Sequence, residues 1–114
     1  MFDVVPSRRE GEAMVVAVLV ADLLFPDAAS LKDKRRRLTG LTGRIRSAFP
    51  VSVAEVAFQD LWQRGRIGVA LVSTDTRLAQ SMLDRISDLV GRDGEVELTS
   101  RRIEFLRFEE EAEE

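Results

Sequence analysis

The chain predicts an α+β fold, a ferredoxin-like βαββαβ sandwich with a four-stranded, antiparallel-type mixed sheet and two helices on one face. Three observations predict it. Along 114 residues the hydrophobic periodicity reads strand, helix, strand, strand, helix, strand. The first and third strands are the most apolar, and right-handed crossovers in this topology set those two side by side in the centre. The second and fourth carry Glu55, or Glu95, Glu97 and Arg101, and so fit the edges, where charge discourages pairing with another sheet.

Residues 1–13 contain Pro6, Arg8, Arg9, Glu10 and Glu12 and read as a flexible tail without the apolar core of a signal peptide. Met14 opens the ordered pattern and is a candidate translation start. A single domain is expected over residues 14–108, and residues 109–114 read as an acidic, frayed tail.

From Met14 to Phe25 the chain is apolar on both alternating faces until Asp22, which predicts a central strand covered on both sides. Pro26-Asp27-Ala28-Ala29 breaks it. Ser30 is a suitable N-cap, with Asp33 three residues on, close to a capping box. A helix to about Ala48 follows, with Leu31, Leu38, Leu41, Ile45 and Phe49 on one stripe at ~100° per residue. Lys34 falls inside that stripe and Arg35 at its edge, while Lys32, Arg36, Arg37 and Arg44 point elsewhere. Gly40 and Gly43 weaken the helix by about 1 kcal/mol each and would permit close packing on the sheet.

Pro50 ends the helix, and Val51–Ala57 reads as the second strand. Phe58–Gly65 is a connection longer than a tight hairpin. In the third strand, Arg66–Ser73, Gly68 and Ala70 share a face and leave room there for a helix. Thr74 or Asp75 caps a second helix with Leu78, Met82, Leu83, Ile86, Leu89 and Val90 on its core side. Glu95–Thr99 alternates, Arg101 and Arg102 disturb the register, and Ile103–Leu106 resumes it, which predicts a bulge near Ser100. Two helices cover one sheet face only. The other face, apolar in both central strands, needs a cover, and self-association is the expected one.

Cysteine and histidine are both absent. That excludes disulfide scaffolds, thiolate zinc sites, cysteine nucleophiles and Ser-His-Asp triads. No apolar run reaches the ~18 residues of a membrane helix, so a cytoplasmic protein without membrane contact is expected. The formal net charge of −3 argues against an overall polyanion binder, although a net value can hide a polarised surface.

Ser30-Leu31-Lys32-Asp33-Lys34-Arg35-Arg36, Val51–Val56, Gln59-Asp60-Leu61-Trp62-Gln63 and Gly68–Val72 together resemble the YlxP-like family of small bacterial proteins, a domain-of-unknown-function family. The resemblance spans about residues 14–108. It implies a ferredoxin-like fold and oligomers. Genes of the family lie beside those for translation initiation and ribosome-binding factor A, which implies a role in ribosome assembly or translation. Phe58 departs from the family, where a polar residue, commonly histidine, is more frequent.

Two candidate surfaces emerge. Lys32, Lys34, Arg35, Arg36 and Arg37 form a basic cluster suited to rRNA phosphates, or a solvated helix face paired with Asp33, Asp27 or the acidic tail. Lys34, on an apolar stripe, should snorkel or pair with Asp22 or Glu55. Glu55, Gln59, Asp60, Trp62, Gln63 and Arg64 form the second cluster, with Gln59, Asp60, Trp62 and Gln63 as its interface. Trp62 stacks on a base, packs over the bare sheet or enters a subunit interface, and Asp60 with Glu55 reads as a structural polar network before a metal or acid/base pair. The third strand lacks the aromatics of sheet-face RNA readers. The expected function is therefore non-enzymatic, with neither cofactor nor metal: a ribosome-assembly or translation factor binding rRNA or a ribosomal subunit through the first helix. The alternative is a self-associating scaffold, most simply a dimer, or a protein-binding module using Trp62 and the open sheet face.

Overall fold

The computed structural model describes residues 13–109. Apart from Ala13 and Glu109, which end strands, the two expected tails lie outside the described residues. The elements are β1 (Ala13–Leu24), α1 (Leu31–Ala48), β2 (Ser52–Ala57), β3 (Arg64–Ser73), α2 (Thr76–Gly91) and β4 (Glu97–Glu109). The strand order is β2-β3-β1-β4. All three pairings are antiparallel, with β1 between β3 and β4. This is the ferredoxin-like arrangement, with β1 and β3 central.

The alternation in β1 explains the core. Val15, Ala17, Leu19, Ala21 and Leu23 are buried under the helices, and Ile67, Val69 and Leu71 join them from β3. Leu38, Leu41 and Ile45 of α1 and Ala79, Leu83, Ile86 and Val90 of α2 close this layer. Each fully buried valine, leucine or isoleucine side chain contributes about 1.5–3 kcal/mol relative to exposure. Ser30 caps α1 by accepting from the Asp33 N–H at 3.0 Å. Asp75, not Thr74, caps α2, accepting from the Arg77 and Leu78 N–H groups. The β1–β4 register slips between Asp22 and Leu23, opposite Ser100 and Leu98, so Thr99 is the extra residue of the expected bulge.

Three packing expectations are corrected. Gly68 and Ala70 pair with Val20 and Val18 on the face away from the helices; a Cβ at Gly68 would meet Val56, not a helix. Gly40 and Gly43 do not abut the sheet: a Cβ at Gly43 would meet nothing within 4 Å, and one at Gly40 only Arg44 of the same helix. Leu78 is exposed, and its neighbour Ala79 takes the core position in the first turn of α2. Among the described residues no helix is long and apolar enough to cross a membrane.

Candidate functional site

The basic cluster is largely consumed by intramolecular pairs. Asp33, in the first turn of α1, lies three and four residues before Arg36 and Arg37, the spacing that brings side chains together on a helix. Arg37 Nη2 reaches Asp33 Oδ2 at 2.9 Å and Arg36 Nη2 reaches Oδ1 at 3.1 Å. Hydrogen bonds from Arg37 and then Arg36 hold the Asp33 carboxyl below its ordinary value. Arg37 Nη1 also donates to the carbonyls of Pro26 (2.7 Å) and Glu95 (3.2 Å), pinning α1 to two loops. Arg36 pairs with Glu95 at 3.1 Å, and that hydrogen bond is the main reason its guanidinium is raised above the ordinary value. Arg44 pairs with Asp93, and Arg46 donates to the Val53 carbonyl at 2.7 Å.

Lys34 is the most changed member of the cluster. It is only 1% exposed, so it belongs to the core and not to a phosphate-binding surface. Its Nζ lies 2.8 Å from Glu55 Oε2 and donates to the Phe58 carbonyl at 2.8 Å, with the Phe25 ring centroid 5.7 Å away. Glu55 Oε2 is closed off from solvent and accepts no hydrogen bond of good geometry among the described residues, so the contact with Lys34 is coulombic. Of the five cations proposed for RNA, Lys32 and Arg35 alone are exposed and have no carboxylate partner among the described residues.

The Phe58 carbonyl that Lys34 grips begins the β2–β3 turn. Phe58 has φ 65°, a left-handed conformation costly for a bulky residue. Its carbonyl also accepts from Leu61 N–H at 3.0 Å, and the Gln63 carbonyl accepts from Phe25 N–H at 2.9 Å. The guanidinium of Arg64 lies 4.1 Å, and that of Arg66 5.1 Å, from the centroid of the Phe58 ring. These contacts hold Leu61 (44% exposed) and Trp62 (51%) out in water. Asp60, Leu61, Trp62, Gln63 and Arg64 line an open hollow; Gln59 is exposed beside it. Arg66 also binds Asp22 at 2.6 Å. That hydrogen bond, opposed by partial burial and aided by the charges of Arg66, Arg64 and Arg102, lowers the Asp22 carboxyl.

The third feature is the sheet face without helices. Val16 lies between Val72 and Leu106, Val18 between Ala70 and Glu104, and Met14 beside Phe108. Val56 stands over Gly68 on the same side. Val72 is 66% exposed, and Val56, Leu106 and Phe108 are each just over half exposed. Arg102 pairs with Glu104 at 2.8 Å on the β4 side of this face. Among the described residues no group of three acidic side chains converges to hold a metal ion.

The family model for proteins of unknown function, DUF503, matches residues 16–103, from β1 into β4. The chain belongs to this family. It is similar to the uncharacterized protein YlxP of Bacillus subtilis (strain 168), with 37% identity over 84 residues, covering 74% of this chain and 91% of that protein. A solved structure, the de novo designed protein Foldit4, covers 83% of this chain at 13% identity and a TM-score of 0.45, too distant to bear on fold or function. The DUF503 match spans both the Lys34–Glu55 pair and the Trp62 turn. Sequence spacing already held the Asp33–Arg37 pair; nothing in it marked the left-handed Phe58 or the Arg64 stack, which the fold alone creates.

Proposed function

We propose that the protein is a non-enzymatic, self-associating binding module in which the open sheet face meets the same face of a second copy. One observation carries this reading: Val56, Val72, Leu106 and Phe108 are more than half exposed on the same face as Val16, Val18 and Val20. Apolar patches larger than a few hundred Å² mark interaction sites on soluble proteins. Four strands ~4.8 Å apart and averaging about ten residues at ~3.3 Å each give the whole face, including its Asp22–Arg66 and Arg102–Glu104 ion pairs, about 600 Å² in projection. That is close to the ~800 Å² per partner of a standard stable interface. A second copy offers the same shape and apolarity, the self-complementarity that a two-fold dimer requires.

Light scattering of the full chain beside a chain starting at Met14 tests this. Dimers in both support it. A full chain that stays monomeric while the shorter one dimerises would mean that residues 1–13 cover the face instead. The reading in which α1 contacts rRNA phosphates, as part of ribosome assembly, keeps Lys32 and Arg35 as its supporting residues.

A further inference from the structure

We propose that the acidic segment at residues 109–114 of one copy docks on the Trp62 turn of the other, against Arg64. This rests on the reading that the partner is a second copy, and it adds the orientation of the pair.

The receiving surface is preorganised. The strained Phe58, the Lys34 ammonium on its carbonyl and the Phe25–Gln63 hydrogen bond fix the turn from three sides. Arg64 is held by stacking on Phe58, not by an ion pair: no carboxylate lies within ion-pair distance of it among the described residues. Stacking occupies the face of a guanidinium and leaves its in-plane N–H donors free, the geometry that receives a carboxylate in bidentate fashion. Trp62 and Leu61 beside it supply apolar area that is already ordered. Lys32 and Arg35, which have no carboxylate partner among the described residues, add positive charge at this end of the molecule, because α1 begins where Lys34 touches the turn.

The ligand is in the sequence. Residues 109–114 read Glu-Glu-Glu-Ala-Glu-Glu. They cannot reach the turn of their own chain. Glu109 pairs with Ala13 at the start of β1, whereas Gln63 bonds to Phe25 just past its end. The twelve residues of β1 separate the two by ~40 Å at ~3.3 Å per residue. The five residues after Glu109 extend ~18 Å at most. The contact is therefore between copies. Two sheets stacked face to face about a two-fold axis with their strands antiparallel set β4 against β4 and bring each acidic segment to the end of the other sheet that carries the turn. The turn then lies ~12 Å to the side and ~10 Å across the stack, within the ~18 Å reach of the segment, and the two-fold makes the two contacts equal.

The chain lacks cysteine, so introduced cysteines report cleanly. Full-length Gln63→Cys and full-length Glu111→Cys are mixed and mildly oxidised. A disulfide-linked heterodimer is expected, and adding Arg64→Glu to the first variant is expected to lower its yield at least fivefold while light scattering still reports a dimer. A dimeric mass with no 63–111 cross-link would overturn the tail contact and leave the face-to-face reading intact. A cross-link indifferent to Arg64→Glu would overturn recognition by charge. A monomeric mass for the protein without added cysteines would overturn both.

Discussion

Lys34 Nζ lies 2.8 Å from Glu55 Oε2 in a site where the lysine is 1% exposed, and the same ammonium donates to the Phe58 carbonyl. One buried cation thus joins α1, β2 and the turn that carries Trp62. Removing one partner of a buried pair typically costs about 3–5 kcal/mol, because the other charge is left unpaired. Glu55 retains some contact with solvent, so Lys34→Ala is expected to cost about 3 kcal/mol, near the lower limit. Replacing both partners, as Lys34→Met with Glu55→Leu, is expected to return stability to within about 1 kcal/mol of the original. Urea unfolding midpoints measure both; a double variant no better than the single would refute the pairing.

Gly65 is the tightest glycine among the described residues. A Cβ there would stand 3.0 Å from Phe25 Cε1, and Phe25 is fully buried. Crowding of this kind costs about 1–3 kcal/mol. Gly65→Ala is expected to lower the unfolding midpoint by that amount, whereas Gly43→Ala, which meets nothing, should raise it slightly through helix propensity. Equal effects at the two positions would contradict the packing described.

Acid should weaken the fold through three carboxylates. Hydrogen bonds from Arg66 lower Asp22, from Arg37 and Arg36 lower Asp33, and from Arg101 and Gln80 lower Asp84. A carboxyl depressed in the folded state contributes stability that is fully present above its ordinary value of 3.8 and is lost as pH falls through the lower, folded one. Thermal midpoints measured from pH 6 to pH 2 should therefore drop most steeply below pH 4, and Arg66→Gln should make the slope shallower. A slope unchanged by Arg66→Gln would show that the Asp22 pair contributes none of it.

Phosphate binding through α1 has an upper limit. Two cations of the original five, Lys32 and Arg35, are exposed without carboxylate partners among the described residues. With ~0.7–0.9 counterions released per phosphate contact, the slope of log K against log salt should not exceed about 2 in magnitude. Filter binding to 16S rRNA across salt measures it. A slope of ~3, the value four contacts would give, would mean that the Asp33 and Glu95 pairs open on binding and release Arg36 and Arg37.

Much of this was legible in the sequence. The doubly apolar β1, the Ser30 cap and the disturbed register near Ser100 all depend on neighbours within one turn or one strand, and each is present. The burial of Lys34 was legible as well, since its place on the stripe required a carboxylate, and Glu55 was one of the two candidates. The positions that misled depend on which side of the sheet a residue faces. Gly68 and Ala70 are small on the open face, and alternation alone does not say which face the helices take. The Glu95 contacts of Arg36 and Arg37 bridge 58 or 59 residues, so no local spacing announces them.

The mass of the protein in solution, with and without Leu106→Glu, tests the self-association most directly. Leu106 is 53% exposed in a single copy, so a glutamate there leaves one copy's core intact but places a charge on the apolar part of the open face, beside Val16. Light scattering at micromolar concentration should give a dimer for the original chain and a monomer with an unchanged far-ultraviolet spectrum for Leu106→Glu. A monomer for the original chain, or a dimer that tolerates the glutamate, would contradict the open face as the meeting surface.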